Sequence, residues 1–250
     1  AGAGAVREAA TWDGTGTQED LMYRDECILV GEDDALAGHA NKYDSHRFLP
    51  EQPRGRLHRA FSVFLFNPEG KLLLQQRAAE KITFPNVWTN TCCSHPLHGQ
   101  SPSEVDGEED VANGTAMGAK HAAVRKLKHE LGIEAGAVPA DQFKFLTRLH
   151  YCARDVVTHG PDAQWGEHEI DYILLVKANV ECRPNPEEVQ DVRYVSEAGL
   201  KEMMDPSNGL LWSPWFRIIA ANFLPGWWAD LDEAIGTDRF VDGKIHHLEA

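Results

Sequence analysis

Residues 57–77, LHRAFSVFLFNPEGKLLLQQR, constrain the fold of this 250-residue chain more than any other stretch. They predict two β-strands joined by the turn NPEG, which has Pro at its second position and Gly at its fourth. Apolar residues fall on both faces of each strand, so the sheet that contains them must be covered on both sides.

The rest of the chain supplies further strands and the helices that could cover such a sheet. Four more strands are indicated by apolar segments: CILV, ALAGH, QFKFLTRLHYCA and HEIDYILLVKANV. The segment AKHAAVRKLKHELGI predicts a helix with Val124, Leu127 and Leu131 on one stripe and Gly132 at its end. Two later helices are predicted at SEAGLKEMM and SPWFRIIAANFL. This order predicts an α/β (α+β) fold with a mixed β-sheet sandwiched between helices.

Two segments lack such patterns. Residues 1–19 are rich in Ala, Gly and Thr and predict a flexible N-terminal tail, which leaves 20–250 as a single domain. Residues 99–118 are rich in Gly, Ser, Asp and Glu without periodicity, and they predict a mobile acidic insertion at the surface of that domain.

Charge and cysteine usage narrow the classes of function. The net charge of −15 argues against nucleic acid or an anionic membrane as the main partner, and no apolar run is long enough for a transmembrane helix. An anionic small molecule would need a local basic pocket or bound divalent cations. The five cysteines lack the even, dense spacing of a disulfide scaffold and indicate free thiols in a reducing compartment. The chain begins without Met, from which we expect that a targeting segment has been removed.

Three groups of residues could carry chemistry. In TNTCCSHPLHG, two adjacent cysteines precede two histidines, which is compatible with a catalytic thiol, a zinc site, a strained disulfide or buried core. Glu167 and Glu169 stand two apart at the start of a strand, so their carboxylates share one face, either as cation ligands or as a solvated strand end. Lys126 and Glu130 are one helical turn apart, either as an exposed salt bridge or as a pair that binds a metal–phosphate ligand.

Taken together, the sequence resembles a known family, the type 1 isopentenyl-diphosphate Δ-isomerases, which have the Nudix fold. The segments that carry the resemblance are LHRAFSVFLFN, LLLQQRAAEKITFPNVWTNTCCSHP, RKLKHELGI, FLTRLHY, WGEHEIDYILLV and SPWF. The combination of TNTCCSHP with WGEHEIDY is highly specific, whereas each of the other segments alone is a weak signal.

The resemblance implies a role for each residue of a site. Cys93 would be the catalytic thiol, and Glu169, assisted by Tyr151, would exchange a proton on the other face of the substrate. The substrate-binding positions fall on Lys42, Arg77, Lys81, Ser94, Lys126 and Trp215. The cofactors would be Mg²⁺ at Glu130, with the carbonyl of Cys93, and a second divalent metal, Zn²⁺ or Mn²⁺, in a cage of His46, His58, His95, Glu167 and Glu169.

The implied reaction interconverts isopentenyl diphosphate and dimethylallyl diphosphate by protonation and deprotonation through a tertiary carbocation, in isoprenoid precursor biosynthesis. The Nudix box is degenerate, since Lys126 and His129 stand where hydrolases have carboxylates, and this favours an isomerase. The rival functions are a Nudix pyrophosphohydrolase and a non-catalytic metal-binding domain. We expect a small prenyl diphosphate as the partner, a monomer or weak homodimer, and a plastid location in preference to the cytoplasm.

Overall fold

The computed structural model describes residues 17–249, which form ten β-strands and nine α-helices, with short 3₁₀ turns at Ala140–Gln142 and Pro206–Asn208. The strands are β1 (Glu26–Val30), β2 (Leu36–Asn41), β3 (His58–Phe66), β4 (Leu72–Arg77), β5 (Trp88–Thr89), β6 (Cys92–Ser94), β7 (Lys144–Arg154), β8 (Gly166–Lys177), β9 (Val189–Val195) and β10 (Ile245–His247). The helices are α1 (Gln18–Arg24), α2 (Lys42–Ser45), α3 (Glu108–Ala112), α4 (Met117–Leu131), α5 (Val156–His159), α6 (Glu197–Met203), α7 (Pro214–Asn222), α8 (Leu224–Ala229) and α9 (Leu231–Gly236). None of the helices in this range has the length and apolar character needed to cross a membrane.

Strand β3 is the centre of a mixed sheet. One edge of β3 pairs in parallel with β8 along its whole length, from His58 opposite Glu169 to Phe66 opposite Lys177. β8 pairs in turn with β7 in the antiparallel sense, and β7 pairs in parallel with β10. The other edge of β3 pairs with β1, β6 and β4, all antiparallel. The predicted mixed sheet is confirmed.

The predicted hairpin is correct at its turn and wrong along its strands. Gly70 closes the turn in the left-handed region, at φ +74°, and its N–H donates to the carbonyl of Asn67. Strands β3 and β4 pair only where Phe66 meets Leu72, and β4 then pairs with β9 instead. The three-residue strand β6 takes the next positions along this edge of β3. This non-local pairing brings both cysteines of the sequence motif into the sheet.

The two faces of β3 are buried under different helices, as the apolar pattern of its sequence predicted. Val63 and Leu65 belong to a core cluster that includes Leu127 of α4. Phe64 faces the opposite way, with its ring centroid 6.2 Å from that of Phe216 on α7. Burial of each such side chain stabilises the fold by about 1.5–3 kcal/mol. The prediction of a sheet sandwiched between helices is confirmed.

The N-terminal prediction is wrong at its boundary. Helix α1 begins at Gln18 and is capped by Thr17, whose hydroxyl accepts a hydrogen bond from the N–H of Asp20. Residues 17–19 therefore belong to the folded domain. The remainder of the predicted tail, residues 1–16, lies outside the described residues.

The segment 99–118 was predicted to be a surface insertion, and that placement is wrong for two of its carboxylates. Glu104 is buried and pairs with Arg125 of α4, with 2.6 Å between its Oε1 and the guanidinium Nε. Asp106 is also buried and accepts hydrogen bonds from the N–H groups of Gly118 and Ala119, at 2.7 and 2.9 Å. These donors are the otherwise unpaired N–H groups at the start of α4. The segment thus caps the central helix.

Helix α4 is confirmed as predicted. It ends at Leu131, and Gly132 follows in the left-handed region with φ +64°. A Cβ at Gly132 would also lie 2.7 Å from the carbonyl oxygen of Arg183, so a larger residue does not fit. The helix carries Lys126 and Glu130 on the side that meets the functional site.

Candidate active site

Four side chains from separate parts of the chain converge at one buried point. His46 follows α2, His58 begins β3, His95 follows β6, and Glu167 lies near the start of β8. One nitrogen or oxygen atom from each of them lies within 4.8 Å of the other three. We call these four residues the His₃Glu cluster.

The backbone orients two of the imidazoles. Nδ1 of His46 donates to the carbonyl of Lys42 at 2.6 Å, and Nδ1 of His58 donates to the carbonyl of Arg56 at 2.7 Å. Each ring therefore presents Nε2 to the cluster, where these atoms lie 2.8 and 4.0 Å from Oε2 of Glu167. Histidines that bind metals are commonly held in this way by their second nitrogen.

Burial keeps the imidazole nitrogens available as ligands. Burial and the neighbouring His46 lower the pKa of His58 to about 3, and burial holds the pKa of His95 well below its usual range. Both rings are therefore neutral at pH 7. Burial also acts to raise the pKa of Glu167, but His46 outweighs this effect and the pKa falls to about 2, so the carboxylate is ionised.

Unpaired atoms in the His₃Glu cluster point to a cation. Nε2 of His46 and Oε2 of Glu167 are close to each other but are not aligned for a hydrogen bond, and Nε2 of His58 is also buried without a hydrogen-bond partner. Buried polar groups are rarely left in that condition, because losing water without a replacement partner costs free energy. Imidazole nitrogen atoms and a carboxylate oxygen are suitable ligands for a divalent transition metal such as Zn²⁺ or Mn²⁺.

Glu169 adjoins the His₃Glu cluster and also lines a neighbouring cavity. Its Oε1 lies 2.8 Å from Nε2 of His95 and 3.8 Å from Nε2 of His58, and its Oε2 accepts a hydrogen bond from the hydroxyl of Tyr151. Burial, followed by the charge of Glu167, raises the pKa of Glu169 well above its usual range. A divalent cation among these groups would favour the ionised carboxylate. Glu169 can therefore hold a cation and a proton on different oxygens.

Cys93 lies on β6 as a half-buried free thiol. Its Sγ is 3.9 Å from the hydroxyl oxygen of Thr89 and 4.0 Å from Nη1 of Arg77. Burial raises the pKa of the thiol to about 12, although Arg77 opposes this effect, so the thiol is protonated at neutral pH. Cys92 is fully buried in the apolar cluster that includes α4, and the strained disulfide is not formed. The two adjacent cysteines have different environments, and only Cys93 is open to a ligand.

Strand β3 separates Cys93 from Glu169. Cys93 on β6 is opposite Ser62 at one edge of β3, and Glu169 on β8 is opposite His58 at the other edge. Paired strands lie about 4.8 Å apart, so the strands that carry the two groups are about 10 Å apart. Both side chains line the same cavity. A small ligand in this cavity can be contacted by a thiol and a carboxylate from opposite sides.

Most of the predicted site residues line this cavity. Those that do are Lys42, Arg77, Lys81, Cys93, Ser94, His95, Glu130, Tyr151, Glu167, Glu169 and Trp215. His46 and His58 complete the His₃Glu cluster beside it. Lys126 contacts Glu130, which itself faces the cavity. The solvated strand end considered for the two glutamates is wrong, since both are buried.

The Lys126–Glu130 pair is buried rather than exposed, which corrects one of the two interpretations drawn from the sequence. Nζ of Lys126 lies 3.1 Å from Oε1 of Glu130, and the side-chain amide of Gln75 donates to Oε2 at 3.0 Å. Burial acts to raise the pKa of Glu130, but Lys126 outweighs it and the pKa is lowered. An ionised carboxylate facing a cavity is a suitable ligand for Mg²⁺.

Trp215, Phe84 and Arg77 pack against one another beside Cys93. The indole N–H of Trp215 donates to the hydroxyl of Thr89 at 2.9 Å, and its ring packs edge-on against Phe84 with centroids 5.5 Å apart. The guanidinium carbon of Arg77 lies 5.7 Å from the centroid of the indole. Arg77 is held in place because it also donates to the carbonyls of Thr83 and Phe84.

Comparison with known proteins identifies the family of this chain. The NUDIX domain family matches residues 111–216. Isopentenyl-diphosphate Delta-isomerase II of Clarkia breweri is 44% identical over 248 residues, which cover 98% of this chain and 82% of that protein. The isopentenyl-diphosphate delta-isomerase of Gibberella zeae is 48% identical, covering 90% of this chain and 83% of its own length. The chain belongs to the isopentenyl-diphosphate Delta-isomerase family.

Other members of the isopentenyl-diphosphate Delta-isomerase family carry a location in their names. The isomerase 1 of Cannabis sativa, named chloroplastic, is 49% identical over 235 residues, which cover 92% of this chain and 77% of that protein.

Among solved structures, DR0079 from Deinococcus radiodurans is similar with a TM-score of 0.50 and 16% identity, over 80% of this chain and 99% of that one. This structural likeness concerns the fold alone.

Several residues at the site were not predicted from the sequence. Thr83 donates to Oε1 of Glu167 at 2.9 Å, and Gln75 holds Glu130 as described above. Glu188 pairs with Lys81, and Gln18 of α1 donates to the same carboxylate. These residues lie in segments without a motif, such as NPEEVQ around Glu188, so only the three-dimensional contacts identify them.

Proposed function

We propose that this protein interconverts isopentenyl diphosphate and dimethylallyl diphosphate. The observation that carries the proposal is the placement of Cys93 and Glu169 on strands that flank β3, with both side chains lining one cavity. Moving a double bond requires a proton to be added at one carbon and another to be removed from a neighbouring carbon. Two proton-exchanging groups on opposite sides of a small substrate satisfy that requirement.

Cys93 and Glu169 divide the proton transfers between them. The Cys93 thiol exchanges a proton with carbon on one side of the substrate. On the other side, the hydrogen bond from Tyr151 orients Oε2 of Glu169 and supplies a route for its proton. Addition of a proton to the alkene gives a tertiary carbocation, and loss of a different proton gives the isomer.

The cation requires more than one source of stabilisation. A cation–π contact with Trp215 is worth about 2 kcal/mol when desolvated. Enzymes lower barriers by about 8–23 kcal/mol, so the indole supplies a small part. The nearby carboxylates and the exclusion of water by the buried aromatic residues supply the remainder, and water exclusion also prevents capture of the cation as an alcohol.

The diphosphate is bound by the basic side chains of the cavity. Lys42, Arg77 and Lys81 line it, Ser94 offers a hydroxyl, and Lys126 lies behind them against Glu130. Glu130 and the carbonyl of Cys93 would hold Mg²⁺, while His46, His58, His95, Glu167 and Glu169 would hold Zn²⁺ or Mn²⁺. When bound, these ions offset the diphosphate charge and fix the ionised form of the carboxylates.

A Nudix pyrophosphohydrolase is the nearest rival function. Hydrolysis needs carboxylates that hold metal ions and activate water. The box on α4 has Lys126 and His129 at two such positions and keeps Glu130. A thiol would serve no purpose in hydrolysis, so the position of Cys93 favours the isomerase.

We also propose a plastid location and a monomer or weak homodimer as the active form. The location is supported by relatives from Arabidopsis thaliana and Cannabis sativa that are named chloroplastic, whereas the relative from Gibberella zeae is fungal. The active form is supported by the cavity, because one chain supplies each predicted site residue.

Product analysis tests the proposed reaction. Purified protein with Mg²⁺ and Zn²⁺ or Mn²⁺ is incubated with isopentenyl diphosphate, and the organic products and free phosphate are measured in the same sample. Conversion to dimethylallyl diphosphate without release of phosphate or pyrophosphate is the expected result. Release of either anion at the rate of substrate loss would contradict the isomerase and support the hydrolase.

A further inference from the structure

Glu188 is a buried carboxylate that contacts the basic groups of the cavity. It is 3% exposed, and its Oε2 lies 2.7 Å from Nζ of Lys81 and 3.8 Å from Nζ of Lys126. Its Oε1 accepts a hydrogen bond from the side-chain amide of Gln18 at 2.7 Å and lies 3.9 Å from Nε2 of His129. Glu188 thus connects three elements around the proposed diphosphate site: the loop after β4, helix α4 and helix α1.

The backbone reinforces the connection between Glu188 and Lys81. The carbonyl of Glu188 accepts a hydrogen bond from the N–H of Ala78 at 3.0 Å, near the start of the loop that carries Lys81. Glu188 also directly precedes β9, which pairs with β4 along its length. Glu188 therefore holds both ends of the segment 78–81: its main-chain carbonyl binds Ala78, and its carboxylate binds Lys81.

Glu188 favours the charged form of Lys81. Burial lowers the pKa of Lys81 to about 8; Glu188 opposes this effect, while Arg77, Lys42 and Lys126 add to it. Burial acts to raise the pKa of Glu188 as well, but Lys126 and Lys81 outweigh it and hold the pKa well below its usual range. At neutral pH the pair is therefore ionised. Glu130 on α4 also interacts with the charge of Lys81, but Glu188 is the carboxylate in direct contact with the ammonium.

We propose that Glu188 is a positioning residue for the anion site: it holds the ammonium groups of Lys81 and Lys126 in place, and holds Lys81 charged, before a diphosphate binds. This inference rests on the proposed function, because it assigns the lysines to the diphosphate. Glu188 acts through the lysines and does not touch the substrate. Glu130 lines the cavity and Glu188 does not, which distinguishes Glu188 from Glu130 as a metal ligand.

Binding of inorganic pyrophosphate tests this role without requiring turnover. Calorimetry with Mg²⁺ present is carried out at about pH 6 and about pH 9 for the wild type, Glu188→Gln, Glu188→Asp and Glu187→Gln. Glu187 is the adjacent, exposed glutamate, so Glu187→Gln makes the same change in charge away from the lysines. The kinetic constants for isopentenyl diphosphate are measured on the same samples.

Glu188→Gln should weaken pyrophosphate binding more at high pH than at low pH. Lys81 must be charged to bind the anion, so affinity falls as pH rises through the pKa of Lys81, and loss of Glu188 moves that fall to lower pH. If the pKa of Lys81 falls by one unit, affinity for pyrophosphate should fall about tenfold at about pH 9 and change little at about pH 6. KM should rise more than kcat falls. Glu187→Gln should match the wild type, and Glu188→Asp should recover part of the loss.

Two results would overturn the proposal. One is pyrophosphate affinity of Glu188→Gln equal to that of Glu187→Gln at both pH values; the other is an equal loss at both, which indicates only a structural ion pair. If Glu188→Gln does not fold, Glu188→Asp and Gln18→Ala take the same test, and wild-type affinity of both at about pH 9 would overturn it. A wild type that binds pyrophosphate with this dependence but forms no isomer would contradict the proposed function alone.

Discussion

The hydroxyl of Tyr151 forms a hydrogen bond with the carboxylate of Glu169, and removal of this one oxygen atom tests its role. Tyr151 donates to Oε2 of Glu169, while Oε1 faces His95 and His58 of the His₃Glu cluster. Burial raises the pKa of Tyr151 well above its usual range, so the hydroxyl remains a donor at neutral pH. The hydrogen bond therefore keeps one oxygen of the carboxylate directed towards the cavity.

Tyr151→Phe should lower kcat by about 10- to 100-fold with a smaller change in KM, because a hydrogen bond to a charged group contributes about 1.5–3 kcal/mol. Tyr172→Phe is the matched control, since the hydroxyl of Tyr172 also donates to a buried carboxylate, that of Asp34. The control should lower the free energy of unfolding and leave kcat near that of the wild type. Equal kcat values for the two variants in a steady-state assay would show that Tyr151 has no special part in the reaction.

Strand β8 determines which groups share the cavity. Glu167 and Glu169 alternate with His168, so the two glutamates face the site and His168 lies on the other face of the sheet, where its Nε2 is 3.0 Å from that of His150. The period of two along a strand made the shared face of the glutamates predictable from sequence. Their closeness to His46 and His95 depended on pairing between distant strands and was not contained in the pattern.

Elements with strong periodicity were predictable, and short or polar elements were not. Helix α4 and strands β3, β7 and β8 follow their apolar patterns closely. Strand β6 has three residues, too few for a period to be recognised, and β9 alternates only weakly because it is largely exposed. The buried cap at Asp106 lies eleven positions before the helix it serves, counted to Met117, so no local capping rule identifies it.

Removal of the Asp106 cap should destabilise the fold. Asp106→Ala leaves two buried N–H groups of α4 without acceptors and should lower the free energy of unfolding by about 1–3 kcal/mol. Glu108→Ala, two residues away and exposed, should change it by less than about 0.5 kcal/mol. Urea unfolding followed by circular dichroism measures both values. A loss for Asp106→Ala no greater than that for Glu108→Ala would mean that the segment 99–118 does not support α4.

The whole molecule combines a net charge of −15 with a cavity lined by several basic side chains. The basic groups at the site, including Arg77, Lys81 and Lys126, are largely buried, so composition alone does not reveal them. The resemblance to the isomerases identified the positions of the thiol, histidines and glutamates. It did not identify Glu188 or Gln18, because their roles arise from contacts between residues 170 positions apart.

Metal binding should stabilise the whole domain, since the His₃Glu cluster joins α2, β3, β8 and the segment after β6. Zn²⁺ or Mn²⁺ at about 100 times its dissociation constant should add about 2.7 kcal/mol to the free energy of unfolding. Chelation should remove this stabilisation together with activity. The increase should be absent in His58→Ala and retained in His98→Ala, because His98 is exposed and lies outside the cluster.

Thermal unfolding with and without added metal measures this effect for each variant. Metal content determined on the same samples confirms the loading. Metal-dependent stabilisation of His58→Ala equal to that of the wild type would place the cation elsewhere in the molecule.

The central claim, proton exchange at carbon by Cys93, is tested most directly by proton NMR of isopentenyl diphosphate in D₂O with the metal-loaded wild type, Cys93→Ala and Cys152→Ala. Cys152 is a half-buried free thiol on β7 and does not line the cavity. We expect dimethylallyl diphosphate with deuterium on carbon from the wild type and from Cys152→Ala, and a rate at least about a hundredfold lower from Cys93→Ala. Deuterated product formed by Cys93→Ala at the wild-type rate would contradict the role of the thiol.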